Sequence, residues 1–173
     1  RHNAGVWFLQ SVARFSESTF KEEKKFFGQV AMARFSDSEV MLLLPQTYMN
    51  ESGRSVAAIA NYYKMNPSQI LVAHDEVDLP VGRLRLKEDG GLAGHNGLRD
   101  ISRRLGSSIG FKRLRIGVGR PKLEDDLVEH VLGKPPLSER KLIEDAILLT
   151  HSLLSELVTG SWQKALNKLH TEC

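Results

Sequence analysis

ILVAHDEVDLP, residues 70–80, runs from four apolar residues straight into a group of acids closed by a proline. A short apolar run bounded by polar and turn residues reads as a buried strand. In α/β sheets, ligands and catalytic groups collect at the carboxyl ends of strands. Asp75 lies where this strand ends, and a carboxylate there can orient an imidazole. It equally fits a solvated turn acid or a helix cap. His74 to Asp78 also holds four possible metal ligands. Alternation along a strand sends His74 and Asp75 to opposite faces, and no partner histidine at helical spacing accompanies them. No metal is expected.

Downstream of this strand, RLRLK (residues 83–87) and RLRIGVG (residues 113–119) alternate basic and apolar residues, as half-exposed strands do. Lys87 and Arg115 could line one sheet edge and grip phosphates, or simply face solvent. Between them lies GGLAGHNGLRD, residues 90–100, in which four glycines surround His95 and Asn96 before a helix begins. Glycines let backbone approach a ligand closely. The stretch is neither a Walker loop nor a dinucleotide fingerprint, because no Gly-Lys-Ser/Thr follows and no apolar strand precedes it. A plain connection whose Asn96 caps the helix is the competing reading. The helix itself carries Arg99, Arg103 and Arg104, which form a solvated face or a phosphate-facing one. GSSIG, residues 106–110, matches the nucleophile motif of serine hydrolases, but there a strand precedes the serine and a helix follows. Here the order is reversed, so no serine triad is implied.

Upstream, Ala4 to about Phe15 reads as an amphipathic helix with Trp7, Phe8, Val12 and Phe15 near one side. QVAMARF from Gln29 and EVMLLLP from Glu39 read as a strand pair joined by SDS. In QTYMNESG, residues 46–53, Asn50 could donate to and accept from a substrate amide or be a turn residue. Ser52 is placed to cap a helix on which Val56, Ile59, Ala60 and Tyr63 recur at helical spacing, its end marked by Pro67. Near the other end, Ser138 is placed to cap a long helix bearing Leu142, Ile143, Ala146, Leu149 and Leu153, ended by Gly160. Strands and helices interleave throughout, so the expected fold is α/β: a single domain with a mixed central sheet covered by helices on both faces.

Composition narrows the classes. With 173 residues the chain is most simply one domain. The single cysteine, Cys173, is the last residue, which rules out an internal disulfide framework. No long apolar run or signal-peptide pattern occurs, so no membrane association is expected and a cytoplasmic location is. A net charge of +3 permits nucleic acid as partner without requiring it.

Taken in order, RHNAG, QTYMNESG, LVAHDEVDLPVGRLRLK, GGLAGHNGLRD, RLRIGVGRP and HVLGKP closely resemble the bacterial-type peptidyl-tRNA hydrolase family over essentially the whole chain. The resemblance implies hydrolysis of the ester joining a peptide to tRNA, by a monomer that uses no cofactor. It implies His2 as general base and Asp75 as its support. Asn50 and Asn96 would contact substrate near the scissile bond. Tyr48 would line the same pocket, Lys87 and Arg115 would grip phosphates, and the HVLGKP segment around Gly133 would be mobile over the cleft. Family members also carry a strand and an Asn-Pro-Gly turn before the RHN motif. The domain, residues 1–173, is expected to lack that first strand.

The implied chemistry is physically coherent. An imidazole with a pKa near 6.5 suits deprotonation of water at neutral pH. An aspartate at one ring nitrogen frees the other to act as base. Two alternatives predict different behaviour. A pure RNA-binding module needs only the basic surface, not His2, Asp75, Asn50 and Asn96 together. A small-substrate esterase would show little dependence on salt, whereas phosphate contacts make affinity fall steeply with it.

Overall fold

The computed structural model describes residues 3–88, 90–92, 94–106, 110–121 and 127–172. His2 and the serines of GSSIG lie outside the described residues. The first helix, α1 (Ala4–Phe15), is followed by β1 (Lys21–Glu23), β2 (Gly28–Phe35) and β3 (Ser38–Pro45). Next come α2 (Ser52–Tyr62), β4 (Leu71–Glu76), β5 (Leu84–Lys87), α3 (Asn96–Arg104) and β6 (Lys112–Gly117). Four helices close the chain: α4 (Leu127–Leu132), α5 (Leu137–Leu149), α6 (Leu154–Val158) and α7 (Trp162–Glu172). The fold is a mixed α/β domain.

Among the described residues the strands form two three-stranded sheets. One is antiparallel, ordered β1-β2-β3, with Phe35 opposite Ser38 across the hairpin. The other is mixed, ordered β4-β6-β5, with β4 parallel and β5 antiparallel to β6. Its register places His74, Arg115 and Arg85 side by side, and Lys87 beside Arg113. Paired residues share a face, so these five side chains stand on one side of the sheet.

Two apolar clusters cover the faces. Phe8 and Val12 of α1, Leu84, Leu114 and Ile116 of the mixed sheet, and Ile143 and Ile147 of α5 belong to the larger one. Val56 of α2, Leu98 and Ile101 of α3, and Phe111 form the smaller one on the opposite side, against Ile70 and Val72. The two faces of β4 are thus divided between the cores: Leu71 and Ala73 go to the larger, Val72 to the smaller. This is the period-two alternation of a strand covered on both sides.

Two close approaches fix helices against this frame. At Gly5 a Cβ would collide with the carbonyl oxygen of Ala73, so α1 lies with its first turn directly on β4. At Gly53 a Cβ would collide with the backbone carbonyl of Asp100, so α2 touches α3 backbone to backbone.

The helix starts differ from the capping expected of the two serines. Ser52 is the first residue of α2, and its hydroxyl donates to the carbonyl of Met49 at 2.8 Å. The open N–H of Gly53 instead donates to Oδ2 of Asp100 at 2.9 Å. A side chain 47 positions away does the work expected of the local serine, because α3 packs there. At α5 the helix begins at Leu137, after Pro136, and Ser138 makes no cap. That helix is also shorter than expected. It ends at Leu149, where Thr150 turns its hydroxyl onto the carbonyl of Ile147 at 2.6 Å. Leu142 and Leu149, expected on the apolar stripe, are exposed.

Candidate active site

The carboxyl end of β4 supplies three consecutive polar side chains, and all three are buried. Burial of that kind costs several kcal/mol unless each group is paired. Asp75 accepts from His95, whose Nε2 lies 3.2 Å from Oδ1. His95 is also the N-cap of α3, and its Nδ1 accepts the N–H of Leu98 at 3.3 Å. A ring whose Nδ1 lone pair is committed to an N–H carries its proton on Nε2. The cap therefore selects the tautomer that donates to Asp75.

His74 sits edge-on to His95, with ring centroids 5.2 Å apart and planes at 74°. Its Nδ1 lies 2.8 Å from the carbonyl oxygen of Asp75, which can only accept, so Nδ1 carries the proton. Its Nε2 is buried and has no hydrogen-bond partner among the described residues. Burial, reinforced by the nearby His95, pushes the His74 imidazole down to about 4. The ring is neutral at physiological pH. Glu76, the third residue, accepts from Nε of Arg115 at 2.9 Å and from the N–H of Asp78 at 3.1 Å.

Beside this strand end, α2 and α3 begin side by side, and the Gly53–Asp100 hydrogen bond holds their first turns together. Asn50 and Asn96 stand at these two starts, and both line a surface pocket of about 220 Å³ shared with Arg99, Asp100 and Arg103. Met49 reaches across as well: a Cβ at Gly97 would meet its Sδ at 2.8 Å. A larger depression of about 630 Å³ runs along α7, lined by Lys164, Asn167, Lys168 and Thr171. It brings together no acid and base, so the smaller pocket is the better candidate for chemistry.

The residues singled out from the sequence divide as follows. Asp75 does not line the pocket; it is bonded to His95, which precedes the pocket-lining Asn96 in the chain. Tyr48 is 81% exposed just before the turn bearing Asn50 and does not line the pocket. Lys87 and Arg115 share a sheet face, but their surroundings differ. The Lys87 side chain extends past Gly90, at the glycine-rich loop. The Arg115 side chain is 20% exposed and paired with buried Glu76. Gly133 follows α4, its N–H donating to the carbonyl of Glu129 at 2.8 Å.

Two residues were not singled out by the sequence. His95 stood in the glycine-rich loop with no role of its own. Arg113 looked like one more half-exposed basic residue, but it is 1% exposed. Its guanidinium donates to the carbonyls of Gly91 at 2.9 Å and Gly90 at 3.1 Å, so it anchors the glycine-rich loop over the sheet. Alternation with leucines could not distinguish it from Arg115, since both lie on the same face. Among the described residues no three His, Cys, Asp or Glu converge as metal ligands. No helix among them is long and apolar enough to cross a membrane.

The model of the peptidyl-tRNA hydrolase family matches residues 1–173. The chain belongs to the peptidyl-tRNA hydrolase family. It is 46% identical over 172 residues to the peptidyl-tRNA hydrolase of Neisseria gonorrhoeae (strain NCCP11945), covering 99% of this chain and 89% of that protein. It is 47% identical over 171 residues to that of Proteus mirabilis (strain HI4320), covering 99% and 88%. The crystal structure of peptidyl-tRNA hydrolase from Acinetobacter baumannii superposes with a TM-score of 0.92 at 43% identity, covering 98% of this chain and 85% of that one.

Proposed function

We propose that this chain hydrolyses the ester joining a peptide, or an N-blocked aminoacyl group, to the terminal ribose of tRNA. The observation that carries the reading is the Asp75–His95 pair, whose His95 immediately precedes Asn96 in the pocket that Asn50 also lines.

His2 acts as the general base. Gly5, three residues further along the chain, packs against the backbone of Ala73 and His74 beside Asp75. A carboxylate offers about four lone-pair sites, so Asp75 can accept from His95 at Oδ1 and also from the ring of His2. That second hydrogen bond orients the His2 imidazole and stabilises the imidazolium that forms as water loses its proton. The hydroxide attacks the ester carbonyl carbon. The tetrahedral intermediate then collapses, expelling the ribose oxygen, which takes the proton back. A ribose hydroxyl leaves far more readily than an amine, so direct attack by water suffices.

Asn50 and Asn96 hold the peptide carbonyls and supply neutral donors to the developing oxyanion. Tyr48 offers an aromatic face at the entrance. Lys87, and Arg115 through the part of its guanidinium that Glu76 leaves open, receive tRNA phosphates. The domain acts as a monomer in the cytoplasm.

The test is to incubate the chain with an N-blocked aminoacyl-tRNA and, separately, its unblocked counterpart, and to measure released tRNA. Release from the blocked substrate is expected. No release from either would overturn the reading.

A further inference from the structure

We propose that Arg99 is a further substrate-binding residue, which holds a backbone phosphate of the tRNA 3′ end beside the scissile ester. The inference rests on the function proposed above and extends it to a cation on a different element from Lys87 and Arg115.

The helix α3 carries three arginines, and the structure separates them. Asp100, whose side chain is 3% exposed, accepts from Nη2 of Arg103 at 2.6 Å and from Nε of Arg104 at 3.1 Å. It also takes the N–H of Gly53. One carboxylate is thus shared by two guanidiniums and the start of α2, so Arg103 and Arg104 are partly neutralised where they stand. Arg99 lines the pocket with Asn50 and Asn96 and makes no ion pair among the described residues. Its side chain contributes an unneutralised positive charge to a concave site.

Its placement is directional. Asn96, Arg99 and Arg103 are three and then four residues apart, so they form one stripe along the helix. The stripe begins next to His95, the partner of Asp75, and leads away at about 5.4 Å per turn. Whatever enters the pocket from the reacting ester along this stripe meets a positive charge one turn away. The substrate offers two chains leaving the ester. The peptide varies in sequence and carries no fixed charge. The RNA carries a phosphate at every nucleotide, close to the ester oxygen. An arginine fits that group better than a lysine, because its planar fork makes two parallel hydrogen bonds to phosphate oxygens. The two asparagines then face the carbonyl side of the ester, and Arg99 the ribose-phosphate side.

The experiment compares the full chain with Arg99→Ala, Arg99→Lys and, as control, Lys141→Ala, which removes an exposed α5 cation paired with Asp145. Hydrolysis of an N-blocked aminoacyl-tRNA is followed at several salt concentrations. Arg99→Ala should raise KM about tenfold at low salt with kcat within about twofold. The slope of log(1/KM) against log salt should become shallower by about 0.7, the value for one phosphate contact to a single strand. Arg99→Lys should restore the slope and only part of KM, and Lys141→Ala should match the unaltered chain. An unchanged KM and slope for Arg99→Ala would overturn the proposal. So would a raised KM with an unchanged slope, or a loss confined to kcat. A second arm measures binding of a short single-stranded RNA by fluorescence anisotropy, with and without Arg99→Ala. Weaker binding by the variant supports the phosphate contact even if the unaltered chain hydrolyses nothing, and equal binding contradicts it.

Discussion

His95 binds Asp75 with one ring nitrogen and caps α3 with the other, at 3.2 Å and 3.3 Å. The two contacts are coupled through the tautomer. If Nδ1 accepts from Leu98, Nε2 must donate to the carboxylate, so the helix start and the Asp75 side chain are held in one geometry.

This coupling separates His95→Ala from His95→Asn. Asparagine is a good N-cap but too short to reach Asp75. The alanine variant should lose about 1 kcal/mol of stability together with turnover. The asparagine variant should keep its stability yet lose about ten- to a hundredfold in kcat, the scale of a hydrogen bond to a charged group. Thermal unfolding and steady-state kinetics on both variants check this. Equal kcat in His95→Asn and the unaltered chain would contradict it.

The buried His74 predicts a pH dependence of stability. Its folded pKa, about 4, lies below the unfolded value of 6.5, so the unfolded chain binds the proton more readily. This contribution is complete above pH 6.5 and is lost as pH falls towards 4, amounting to about 3 kcal/mol. Urea unfolding between pH 7 and 4 should show the decline. His74→Phe, which removes the titrating group, should flatten it.

Lys87 and Arg115 look alike in the sequence but should respond differently to removal. Lys87→Ala should raise KM for peptidyl-tRNA without loss of stability. Arg115→Ala strips the guanidinium from Glu76, whose side chain is 3% exposed, and leaves a buried carboxylate poorly compensated. Breaking a buried pair on one side costs about 3 kcal/mol or more. A comparison of Tm and KM for the two variants distinguishes them.

Gly53→Ala should destabilise the protein by about 1–3 kcal/mol, because the methyl group meets the Asp100 backbone and drives α2 from α3. The loss should appear in KM as well as Tm, since Asn50 and Asn96 sit at these two helix starts. A variant with normal Tm and KM would mean the helices part without consequence.

The sequence was most legible where its signal is local. The α1 helix, the β2–β3 hairpin and the strand ending at Asp75 follow from apolar spacing and turn residues, and the structure has them where the pattern places them. It was least legible where a partner comes from far along the chain. Ser52 has the chemistry of a cap, but Asp100 takes that role from α3. Arg113 and Arg115 occupy equivalent positions in one alternating strand. The first donates to the loop carbonyls of Gly90 and Gly91, and the second pairs with Glu76. His95 was hidden among glycines, and the cap it forms was assigned in the sequence to its neighbour Asn96, which is instead the first residue of α3.

The central claim is that His2 takes the proton from the attacking water with Asp75 behind it. The most direct test is His2→Ala, assayed for tRNA release from an N-blocked aminoacyl-tRNA and, in parallel, for affinity to the same RNA. Turnover should vanish while affinity stays within about twofold of the unaltered chain. Retained turnover would contradict the account.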